Sequence, residues 1–155
     1  MPETVIIGLG NPVLADDGAG LKVAGILKER LAGNSTVDVV ILHSGGLRLL
    51  DALAGYKRAI VIDAIVTGSN KPGSVLRLTP GDILQTNNSF SMHDINLPAV
   101  LELGSMLGVR LPSDIIILGI EAGDVQTFSE NLSPEVESVI PEVIAAVEKE
   151  LDISC

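Results

Sequence analysis

Val5-Ile6-Ile7-Gly8-Leu9-Gly10-Asn11-Pro12, continued by Val13-Leu14-Ala15-Asp16-Asp17-Gly18-Ala19-Gly20, decides how this chain folds. The apolar, β-branched run reads as a strand buried on both faces, and a tight glycine turn follows it. Two adjacent carboxylates then stand where helical spacing begins. Val23, Ile26, Leu27 and Leu31 recur at helical intervals from about Asp17 to Ala32, and Gly33-Asn34 supplies the stop. Charge therefore arrives at the end of a buried strand, and open α/β sheets bind their ligands in the crevice beyond the carboxyl ends of their strands.

The same unit recurs downstream. Val37 to Leu42 is a second apolar run, ending in His43-Ser44-Gly45-Gly46, and Leu47, Leu50 and Leu53 mark a short helix closed by Gly55. Arg58 to Ile65 is a third buried strand interrupted by one carboxylate, Asp63. After the turn residues Lys71-Pro72-Gly73, Ser74 to Leu78 alternates polar with apolar, as a half-exposed edge strand antiparallel to its neighbour would. Pro80-Gly81 ends it. The polar segment from Asp82 to Met92 reads as a loop over the crevice, with His93 at its end. Leu97 to Leu107 is a third helix, Ile115 to Ile120 the last buried strand, and Ser133-Pro134 an N-cap and first turn of one final helix carrying Val136, Ile140, Val143, Val147 and Leu151. Alternating strands and helices predict a single α/β domain over residues 1–155. We expect a doubly wound, mainly parallel sheet with one antiparallel edge strand, helices on both faces, and a strand order beginning 2-1-3.

Composition narrows the function. With 46% apolar residues but only 2% aromatics, the core must be built from Val, Ile, Leu and Ala. Twenty acidic residues against ten basic ones, a formal charge of −10, disfavour nucleic acid as a partner. No apolar stretch approaches the roughly 20 residues of a membrane span, and Met-Pro-Glu-Thr does not open like a secretory signal, so a cytoplasmic protein without membrane contact is expected. The single cysteine, Cys155, leaves no internal disulfide and no thiolate cluster.

Asp17, Asp63 and His93 are the candidates for chemistry: two hard oxygen donors and an imidazole from three separate segments. Such a set suits a borderline divalent ion such as Ni²⁺ or Zn²⁺, with positions left open for substrate or water. Other roles stay open, since Asp17 could cap a helix and Asp63 could bond a loop. Competing motifs fail. The third glycine of a dinucleotide fingerprint would fall at Val13, and Ser44-Gly45-Gly46 does not make a nucleophile elbow.

Taken jointly, Gly8-Leu9-Gly10-Asn11, Asp16-Asp17-Gly18, Val61-Ile62-Asp63-Ala64 and Ser91-Met92-His93 resemble the maturation endopeptidases of nickel-iron hydrogenases. The resemblance extends to Gly119-Ile120-Glu121 and Leu132-Ser133-Pro134-Glu135-Val136 near the end. It implies a protease, grouped with the aspartic type, that removes a C-terminal extension from the nickel-loaded hydrogenase large-subunit precursor. It also implies that Asp17, Asp63 and His93 form the catalytic metal site, that nickel comes with the substrate, and that Gly45 and Gly46 help to dock it. Family members often carry an acidic residue just before that glycine pair, where this chain has His43-Ser44. The alternative is a non-cleaving, nickel-sensing chaperone for the same precursor, and a monomer is expected in either case. Peptidyl-tRNA hydrolases also open with Gly-Leu-Gly-Asn-Pro, but their Thr-Arg-His-Asn segment has no counterpart in Val13 to Gly18.

Overall fold

The first strand, β1 (Thr4–Leu9), lies between β2 (Val37–Leu42) and β3 (Arg58–Val66) in the computed structural model, which describes residues 2–85, 91–92 and 97–153. Beyond β3 come β6 (Asp114–Glu121) and then β4 (Val75–Leu78) at the edge, giving the order β2-β1-β3-β6-β4. β2, β1, β3 and β6 are mutually parallel, and β4 runs antiparallel to β6. The order begins 2-1-3 and the antiparallel strand is at the edge, as the patterning predicts.

Side-chain alternation splits the core into two layers. Ile6, Ile60, Ile62, Ile116 and Leu118 point to one face, where α1 (Ala19–Arg30) and α6 (Ile140–Ile153) cover them with Val23, Leu27, Val143 and Val147. Val5, Ile7, Val61 and Ile117 point to the other. There α2 (Leu47–Leu53) and α4 (Leu97–Met106) cover them with Leu49, Leu53, Leu97 and Val100. Because the central strands are covered on both faces, they can be apolar at every position without exposing any of it. Among the described residues no helix is long and apolar enough to cross a membrane.

Three local expectations need correction. The stretch read as a loop from Asp82 opens inside a helix, α3 (Pro80–Gln85), because Pro80 suits a first helical turn and the Asp82 carboxylate accepts the Thr79 amide and hydroxyl there. Its end forms a two-residue strand, β5 (Ser91–Met92), antiparallel to β3, with Met92 opposite Ile65. The final helix is two, α5 (Pro134–Glu137) and α6. Pro141 has no amide hydrogen and its ring would strike the carbonyl of Glu137, so the chain must start a new helix there.

At the amino-terminal end of the sheet, Glu150 of α6 is buried between Arg58, at 2.6 Å, and Arg77, at 2.5 Å, while Arg58 also meets Asp114 at 2.9 Å. The hydrogen bond from Arg77 and the charges of Arg77 and Arg58 hold the Glu150 carboxyl below its usual 4.5. The ion pairs therefore stabilise the fold fully above that value and are lost as pH falls through the lowered one. Glu150→Gln is expected to cost about 2–4 kcal/mol near neutrality, less than a fully orphaned charge because Arg58 keeps Asp114. Melting temperatures of the two proteins should converge as the solution is acidified; a gap independent of pH would show that packing, not charge, is at stake.

Candidate functional site at the carboxyl ends of the strands

Asp17 is placed by a loop that folds back on itself. After β1, the Asn11 carboxamide oxygen accepts the Val13 amide at 3.1 Å and the Asn11 carbonyl accepts the Leu14 amide at 3.3 Å, curling the chain into a single 3-10 turn, Ala15–Gly18. The Asn11 amide then donates to Oδ2 of Asp17 at 2.9 Å. Asp17 does not cap α1. Gly18 occupies that position, and Asp17 is 1% exposed with its carboxylate turned to the loop. The start of α1 is pressed onto the sheet at Gly20, where a Cβ would lie 2.4 Å from the Ile62 carbonyl oxygen and 2.7 Å from that of Leu9, so only glycine fits. This close approach seats the turn carrying Asp17 against β3, the strand carrying Asp63.

Asp63 is also 1% exposed. The last β1–β3 pair is Gly8 with Ile62, so Asp63 is the first residue of β3 beyond it, at the point where β1 turns away and the crevice opens. β3 itself continues to Val66 beside β6, and Asp63 stands in register with Gly119. β1 connects through α1 toward β2 on one side, whereas β3 leads away toward β6 on the other. This divergence makes the gap between them the switch point of the sheet.

His93 lies outside the described residues. It follows Met92 in the chain, and Met92 pairs with Ile65, two residues past Asp63. Gly45 and Gly46 follow the carboxyl end of β2, with Gly46 exposed at φ +67°, a conformation that suits glycine and starts α2 without a side chain over the crevice. Among the described residues no group of three His, Cys, Asp or Glu side chains could hold a metal ion. Asp17 and Asp63 are both carboxylates, a donor class that suits a divalent ion.

Two further buried carboxylates border this region, and sequence reasoning gave neither a role. Asp16, wholly buried, accepts four hydrogen bonds: Oδ2 from the amides of Gly123 at 2.8 Å and Asp124 at 2.9 Å and the Ser133 hydroxyl at 2.8 Å, Oδ1 from the Ser133 amide at 2.6 Å. Ser133, expected to cap the last helix, spends its hydroxyl on Asp16 and makes no side-chain cap. Glu121 ends β6 and accepts both the amide and the hydroxyl of Thr67. Its signal was available, since a carboxylate closing an apolar strand is the signature that singled out Asp63. For Asp16 the signal was only adjacency to Asp17.

The chain matches a family model described as hydrogenase maturation protease (HycI) over residues 21–150. It is 26% identical over 150 residues to the hydrogenase expression/formation protein HupD of Thiocapsa roseopersicina, covering 95% of this chain and 67% of that protein. To the hydrogenase 2 maturation protease of Escherichia coli it is 26% identical over 149 residues, covering 96% and 85%. The solved structure of the hydrogenase maturating endopeptidase HybD from E. coli superimposes with a TM-score of 0.82 at 25% identity, covering 99% of this chain and 94% of that one. A NiFe hydrogenase maturation protease, HybD from Thermococcus kodakarensis, does so with a TM-score of 0.73 at 28% identity, covering 96% and 98%.

Proposed function

The chain belongs to the hydrogenase maturation protease family, and from that premise we propose that it is the endopeptidase that removes the C-terminal extension of a nickel-loaded hydrogenase large-subunit precursor. The observation that carries this reading is the delivery of two buried aspartates, Asp17 and Asp63, from separate elements to the switch-point crevice. The E. coli and Thermococcus relatives are named as proteases or endopeptidases, and no name among the relatives supports a non-cleaving chaperone.

Nickel belongs to the substrate in this scheme. Asp17 and Asp63, together with His93, are the ligands this chain would lend to it, and an ion held there supplies Lewis acidity toward the scissile carbonyl. The protein's own share is positional and basic. The Asn11 amide fixes one oxygen of Asp17, the β3 backbone fixes Asp63, and one aspartate takes the proton of the attacking water and returns it to the departing amine. Gly45 and Gly46 leave room for substrate backbone beside the crevice. Carboxylates gain more from a substrate that brings a divalent ion than from one that does not, so loading would favour docking.

Incubation with nickel-loaded and nickel-free precursor, followed by intact mass measurement, tests this. Loss of a C-terminal fragment from the loaded form alone is the expected result. Stable binding of an intact precursor would make the protein a chaperone, and equal cleavage of both forms would remove nickel from the recognition step.

A further inference from the structure

Each of the four parallel strands is followed or ended by one large apolar side chain left in solvent: Val13 after β1, Leu47 after β2, Val66 at the end of β3, and Phe128 after β6. Exposed apolar residues scattered singly are ordinary. These four are instead collected at the end of the sheet that holds Asp17 and Asp63. Phe128 is the most prominent, at 85% exposure.

The loop that holds Phe128 out is bonded on both sides. Asp124 Oδ1 accepts the amides of Gln126 and Thr127 at 2.9 and 3.0 Å, closing a tight turn just before it. Just after it, the Ser129 amide donates to the Val13 carbonyl at 2.9 Å and the Ser129 carbonyl accepts the Ala15 amide at 2.8 Å, so Phe128-Ser129 lies alongside Val13-Leu14. Asp16 ties the base of the same loop, at Gly123, Asp124 and Ser133, to the turn that carries Asp17. Phe128 is thus presented by a hydrogen-bonded frame continuous with the proposed catalytic turn. With the backbone on either side of it held this way, less loop freedom remains to be lost when a partner meets Phe128.

We infer that Phe128, with Val13 beside it, is a specificity-determining contact for an apolar side chain in the precursor segment next to the scissile bond. The inference rests on the endopeptidase reading and adds to it the chemistry of the residue recognised. An extended substrate strand entering the crevice passes this frame, and an apolar side chain there is desolvated against Phe128 whereas a charged one is not.

Steady-state cleavage of nickel-loaded precursor by the unsubstituted protein, Phe128→Ala, Phe128→Leu and Met106→Ala tests it. Met106 is equally apolar and exposed, but it ends α4, away from the crevice. Phe128→Ala should raise KM about 10-fold or more with kcat changed less than about 3-fold and an unaltered melting temperature, since the side chain is 85% exposed. Phe128→Leu should recover much of the loss, and Met106→Ala should behave as the parent. Parental kinetics in Phe128→Ala overturns the inference, as does a fall in kcat at constant KM. Failure of the unsubstituted protein to cut is seen without any substitution and overturns the endopeptidase reading instead.

Discussion

Asp63→Asn is expected to slow precursor cleavage by about 10²- to 10⁴-fold, and Asp17→Asn by a similar factor. The amide keeps the size of the carboxylate, so the buried sites at the end of β3 and in the 3-10 turn stay filled. What is lost is the negative charge, and with it the donor and proton acceptor that the proposed mechanism requires. If the two aspartates act as one unit, the double variant should be little worse than either single one, because effects within a catalytic set are strongly non-additive. The measurement is single-turnover cleavage of the nickel-loaded precursor, accompanied by melting curves to show that each variant is folded. Full activity in either single variant would exclude that residue as a required ligand or base.

Asp16→Ala should act in the opposite order, on the fold first. Removing this buried carboxylate takes the acceptor from three part-buried backbone amides and a hydroxyl that now converge on it, at a cost of about 2–4 kcal/mol. For a chain of this size that lowers the melting temperature by roughly 5–15 °C. Asp16→Asn should be milder, because one oxygen still accepts while the new amide group faces a donor. Both substitutions loosen the tie between the 123–133 loop and the turn carrying Asp17, so surviving folded protein should show raised KM and lowered kcat together. An Asp16→Ala protein that melts with the parent would show that these hydrogen bonds do not hold the loop. The contrast separates adjacent residues: Asp17→Asn is predicted to leave folding nearly intact and remove activity, Asp16→Ala to remove stability.

Adjacent aspartates also mark where sequence reading ran out. Each looked the same locally, an acid at the start of a helical pattern; Asp17 was singled out as a hard oxygen donor beside Asp63 and His93, and nothing local assigned Asp16 a different part. Asp16 finds its partners 107 to 117 residues away in the chain, and no local periodicity reports a partner at that distance. Ser133 is misleading for the same reason: Ser-Pro before a helix is a sound capping signal, yet a buried carboxylate from the first loop competes for the hydroxyl. The split between α5 and α6 differs in kind, because Pro141 marks it locally.

By itself the sequence determined the alternation of strands and helices, the central position of β1 and the antiparallel edge strand β4. It also determined that Asp63 must be an exception within an apolar strand. Periodicity, turn chemistry and the cost of burying a charge act between near neighbours and can be read from them. Only the tertiary structure decided that Gly20 must be bare so that the Asp17 turn can reach β3, that Asp16 is a clamp while Asp17 faces its own loop, and that four strands each leave an apolar side chain at the same end. Those facts depend on which segments, distant in the chain, are brought together by the packing of both faces of one sheet.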